Sequence, residues 1–84
     1  MKYVAKHKWR KAEEEGNFTD AAKLLLDEIK CNCDKVPSPS LEYRCLQELY
    51  SSFMYVNNLT TVSRTTFYEI KSIRNEVKEF INRI

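Results

Sequence analysis

Cys31, Cys33, Cys45 and His7 carry the most distinctive chemistry in this sequence, and together they are just enough ligands for one zinc ion. Their spacing argues against that use. Cys31 and Cys33 lie two residues apart, which on a helix points the thiols to nearly opposite faces, whereas structural zinc uses a wider loop spacing. Reduced cysteines in an apolar core account for Cys33 and Cys45, which fall on apolar stripes. His7 is the single histidine, set among lysines without an acid partner nearby, and is expected to be exposed. No Gly-rich phosphate loop, no paired carboxylates in an apolar setting and no nucleophile motif accompanies it. The sequence therefore predicts no catalytic residue, no metal site and no cofactor, and the protein is read as a non-enzyme.

Nucleic-acid binding has more residues in its favour. Lys2, Lys6, Lys8, Arg10 and Lys11 precede any acidic residue, so the N-terminus is a local positive patch, although 14 basic against 12 acidic residues leave a net charge of only +2. Further on, Val62-Ser63-Arg64-Thr65-Thr66-Phe67-Tyr68 resembles the opening of a helix-turn-helix recognition helix. That resemblance implies that Ser63 caps the helix, that Arg64, Thr65 and Tyr68 reach bases, and that Lys71 follows one turn on. It departs from the pattern at about Asn57 and Thr61, where a small residue and a turn glycine are usual. Glu69, Glu76 and Glu79 would also face a phosphate backbone unfavourably. The nucleic-acid reading, an element at residues 57–74 together with Lys6, Lys8, Arg10, Lys11, Arg64, Thr65, Tyr68 and Lys71, is therefore the alternative.

A protein partner is the favoured reading. Five tyrosines, four phenylalanines, one tryptophan and two methionines are more aromatic and soft surface than a chain of 84 residues can bury, and such side chains are enriched at interfaces. The expected interface residues are Tyr43, Tyr50, Met54, Tyr55 and Trp9. The function expected is that of a small regulatory or adaptor protein, of the kind common among phage accessory and host-modulating factors. A second copy of the chain is the other partner to consider, because an apolar heptad seam runs through the last helix.

The elements that must position these residues are helical. One glycine, two prolines and periodic apolar residues predict an all-α fold and a single domain over residues 1–84. Its architecture is a small bundle of four helices, at about 2–15, 18–35, 39–57 and 63–84, arranged as two antiparallel αα-hairpins. In the first helix Val4, Ala5, Trp9 and Ala12 form the apolar side, while the cations at its start and Glu13 to Glu15 at its end oppose the helix dipole. Gly16 closes that helix and Asn17 caps the next. Phe18, Ala22, Leu25, Ile29, Cys33 and Val36 form the buried stripe of the second, with Lys23, Asp27, Lys30 and Asp34 as its exposed row.

The stretch Gly16-Asn17-Phe18-Thr19-Asp20-Ala21 resembles the turn between the paired helices of a tetratricopeptide repeat and, more loosely, that of MIT domains. The resemblance implies an αα-hairpin and no more, because no second copy follows. Pro37, Ser38 and Pro39 stop the second helix and start the third, whose broad face includes Leu41, Cys45, Leu46, Leu49, Tyr50, Phe53 and Val56. In the last helix Ile70, Ile73, Val77, Phe80 and Ile84 recur at steps of three, four, three and four, which defines the expected seam. The exposed side is expected to carry Arg64, Lys71, Arg74 and Lys78. With no charged leader before an apolar run and no long apolar stretch, a cytoplasmic protein without a membrane segment is expected.

Overall fold

A computed structural model of the chain describes residues 2–36 and 61–83. Over those residues the fold is helical: α1 spans Trp9–Glu14, α2 Phe18–Asp34 and α3 Arg64–Arg83, and no strand is formed. Both α1 and α3 pack on α2. The predicted helix at 39–57, with Tyr43, Tyr50, Met54 and Tyr55, lies outside the described residues. Three helices are thus shown, and the four-helix, two-hairpin arrangement is shown only as far as its first turn and its last helix.

The turn before α2 forms as its residues dictate. Gly16 adopts φ 77, in the left-handed region, and an added Cβ there would meet nothing, so the demand for glycine is conformational. The Gly16 N–H donates to the Glu13 carbonyl at 3.0 Å and the Asn17 N–H to the Ala12 carbonyl at 2.8 Å. That pair of bonds is the Schellman closure of a helix. Asn17 then caps α2, its side chain accepting the Asp20 N–H at 3.2 Å, with Asp20 placed in the first turn where the dipole favours an acid. Ala22, Leu25, Ile29, Cys33 and Val36 are buried as the stripe predicts, and Lys23, Asp27, Lys30 and Asp34 are exposed. Ala21, Leu26, Glu28 and Asn32 are buried too, so α2 is covered over a wider face than one seam requires.

At the start of α3, Ser63 is the cap that the structure uses. Its Oγ accepts the Thr66 N–H at 3.2 Å, and its carbonyl accepts the Phe67 N–H at 3.0 Å. Val62 and Phe67 are both buried, at the two positions that form a hydrophobic staple around such a cap. The Val62 N–H also donates to Thr19 Oγ1 at 3.0 Å, which ties the start of α3 to the first turn of α2.

The register of α3 differs from the predicted seam. Phe67, Ile70, Val77 and Ile81 are its buried residues, while Ile73 and Phe80 are only half-buried and Ile84 lies outside the described residues. The buried set also recurs at steps of three, four, three and four once Arg74 is counted as its middle member. Arg74 was expected on the exposed side; its side chain is only 12% exposed. Phe67 anchors this register, with ring centroids of Phe18 and Trp9 at 5.6 and 6.1 Å.

The first predicted helix is the largest correction. Residues 2–7 are not helical, and α1 begins only at Trp9. Val4, expected on the apolar side, is 48% exposed, whereas Tyr3 is buried. A helix begun at Lys2 would stack its cations on the positive end of its own dipole. Starting at Trp9 avoids that, and the amides left over find acceptors on α2 and α3.

The register of α3 can be tested by truncation. Phe67→Ala should cost about 3–5 kcal/mol in urea denaturation. Phe80→Ala, at a half-buried position, should cost distinctly less. Equal losses would restore the seam centred on Ile73 and Phe80.

Candidate functional site

Polar chemistry gathers in two adjoining places, a clasp over residues 2–8 and a groove beside it. The clasp is built on Glu28 and Asn32, one turn apart on the buried face of α2. Glu28 Oε1 accepts the Lys6 and His7 N–H groups at 2.7 and 3.2 Å, and Oε2 accepts the Tyr3 hydroxyl at 2.8 Å. Asn32 Oδ1 accepts the Val4 N–H at 2.7 Å, while Nδ2 donates to the Val4 carbonyl at 3.0 Å and to the Glu28 carbonyl at 2.8 Å. From α3, Asn82 Oδ1 accepts the Tyr3 N–H at 2.9 Å. Arg74 completes the cluster: its Nε lies 3.5 Å from Glu28 Oε2, and its guanidinium sits 5.4 Å from the centre of the Tyr3 ring.

These contacts set the charge states. Burial would push the Glu28 carboxyl up, but hydrogen bonds from the Tyr3 hydroxyl and the His7 and Lys6 amides, with the Arg74 charge, outweigh it and hold the carboxyl below its ordinary range. Burial, together with the bond to Glu28 and the charge of that carboxylate, pushes the Tyr3 hydroxyl well above its ordinary value, against the opposing pull of Arg74. The cluster is therefore an ion pair with a neutral tyrosine across the neutral pH range.

Beside the clasp, Lys6, Lys8 and Trp9 line a groove of about 420 Å³ together with Leu24, Asp27, Lys30, Cys31 and Asp34 of α2. Glu28 also contributes to its lining. Cys31 is exposed and Cys33 buried, so the two thiols do face apart. Among the described residues no three His, Cys, Asp or Glu side chains come together as a metal site, and Cys45 lies outside them.

No family model matches the chain. Comparison with curated proteins and with solved structures likewise finds no match.

The expected site residues divide sharply. Lys6, Lys8, Arg10, Lys11, Arg64, Thr65 and Tyr68 are exposed. Lys71 is half-buried and already partnered, with its Nζ 3.1 Å from Glu13 Oε1 and 5.2 Å from the centre of the Trp9 ring. Arg64 is turned onto its own helix, its guanidinium 5.5 Å from the Tyr68 ring centre and its Nη2 donating to the Tyr68 hydroxyl at 3.3 Å. Trp9, expected as an interface anchor, is a core residue only 4% exposed, packed against Phe67 and flanked by Arg10, Lys71 and Arg74. His7, expected to be exposed, is half-buried and takes φ 56. Reasoning on periodicity missed Glu28, Asn32, Arg74 and Asn82. The signal was present in two of them, since Glu28 and Asn32 sit at a four-residue step on a helix whose other face already carries its charges.

A pH series tests the clasp. Because folding lowers the Glu28 value, its contribution is present above the ordinary value of 4.5 and is lost as pH falls through the lower folded value. Glu28→Gln should cost about 3 kcal/mol near neutrality, as expected when one member of a buried pair is removed. The gap to wild type should narrow on acidification. A gap that is constant with pH in urea titrations would remove the carboxylate from the account.

Proposed function

We propose that this is a small non-enzymatic regulatory or adaptor protein that acts by binding another protein. The observation that carries this reading is the interleaving of carboxylates with the cations that a polyanion would need. Asp27 and Asp34 line the same groove as Lys6 and Lys8, and Glu13 neutralises Lys71. A phosphate backbone would meet repulsion at each of these places. A protein surface carrying both signs over an apolar patch meets complementarity, with the rim giving specificity and association rate and the half-buried Leu24 and the edge of Trp9 giving apolar contact. Glu28, the buried carboxylate among the described residues, has both oxygens engaged within the fold, which leaves no acid or base poised for a substrate there.

The alternative, a nucleic-acid binder, rests on the exposure of Lys6, Lys8, Arg10, Lys11, Arg64, Thr65 and Tyr68. Titration of a labelled random duplex decides between the two. Little binding even at low salt is expected, whereas tight binding that falls steeply with salt would establish the alternative. For the favoured reading, a partner captured from the native host by the wild-type protein should be lost by the double variant Lys8→Glu, Asp27→Lys. Capture of that partner at undiminished yield by the folded double variant would exclude the groove.

A further inference from the structure

We infer that the track holding residues 2–8 is a peptide-binding site, filled in this structure by the protein's own N-terminal segment and open to exchange with an extended segment of a partner. The inference rests on the protein-partner reading above and names the kind of partner. Glu28, Asn32 and Asn82 engage five backbone groups of the segment: the N–H groups of Tyr3, Val4, Lys6 and His7 and the carbonyl of Val4. Contacts of that kind recognise an extended chain and not a particular sequence. Tyr3 is the exception, because its buried ring and its hydroxyl on Glu28 are read as a side chain.

Beyond these bonds and Tyr3, only Ala5 and His7 of the segment are half-buried. It belongs to no helix or sheet, and Lys2, Val4, Lys6 and Lys8 all project outward. It joins α1 through His7 at φ 56, a left-handed conformation that a non-glycine residue adopts at a cost and that is relieved when the segment leaves. An empty track would strip the buried Glu28 and Asn32 of every bond to the segment, leaving Glu28 with Arg74 and Asn32 with the Glu28 carbonyl, so departure is favourable only when another chain takes over the lost bonds. The competing chain is defined by what the track and groove offer. It is an extended segment with a tyrosine, followed three and five residues later by lysine or arginine, matching Lys6 and Lys8, which line the same groove as Asp27 and Asp34.

The test adds a synthetic peptide of residues 2–8 to the full-length isotope-labelled protein and follows the side-chain amides of Asn32 and Asn82 by NMR. Saturable shifts of both amides are expected. Binding should be about tenfold tighter to Tyr3→Phe, whose own segment has lost a charge-assisted hydrogen bond that the peptide restores. A peptide with its tyrosine replaced by alanine should produce no shift. Should Tyr3→Phe lose its dispersed spectrum, Val4→Pro removes one backbone donor from the segment and leaves the track intact. Absence of shifts at millimolar peptide, with a variant shown to be folded, overturns the exchange. That failure stays distinct from failure of the protein-partner reading, which is decided by the capture experiment with Lys8 and Asp27.

Discussion

The carboxylate of Glu28 is the group on which the rest of the described structure depends. A buried ion pair is weak support for stability by itself, because desolvation offsets most of its attraction. Here the carboxylate serves three structural ends at once. It neutralises Arg74, which occupies a core position of α3 and could not stay there unpaired. It accepts the Tyr3 hydroxyl, so that the phenol can be buried with its proton bonded. It also accepts two consecutive amides, those of Lys6 and His7, and thereby fixes where the chain turns into α1. The docking of α3, its register and the N-terminal path thus share one anion.

Around that centre the aromatic side chains work with cations. α1 has only six residues and would not persist alone. It is held at one end by the Gly16 closure and along its length by Trp9, whose ring meets Phe67 of α3 and is approached by Arg10, Lys71 and Arg74. Such contacts are worth about 0.5–2 kcal/mol each, depending on how far water is excluded. Lys71 couples the same two helices a second time through Glu13, half in solvent, where the ion pair contributes less. Charges that read as surface decoration in the sequence are in this way part of the packing.

What was legible in the sequence was local. The Gly16–Asn17 turn, the stripe of α2 and the Ser63 cap of α3 each depend on residues within a few positions of one another, and each formed as its chemistry dictates. The misreadings share one cause, the satisfaction of a group by a partner far along the chain. Arg74 breaks an apolar stripe when the helix is read alone and completes it when Glu28 is beside it. Likewise, Lys2 to Lys8 read as a helical stretch because nothing nearby offers their amides a better acceptor than a helix does; the acceptors are on α2 and α3. Of the expected interface residues, Tyr43, Tyr50, Met54 and Tyr55 lie outside the described residues, and Trp9 is inside the core.

The hydrogen bond from the Tyr3 N–H to Asn82 joins residues 79 apart in sequence. A bond that spans so long a loop has no local nucleus, and its closure entropy can be met only when both flanking helices are already in place. On that ground the N-terminal segment is expected to assemble after the helices it bridges and to open before them. Its amides are expected to exchange faster than those of α2 and α3, even though Glu28 and Asn32, which bind them, are as buried as the core.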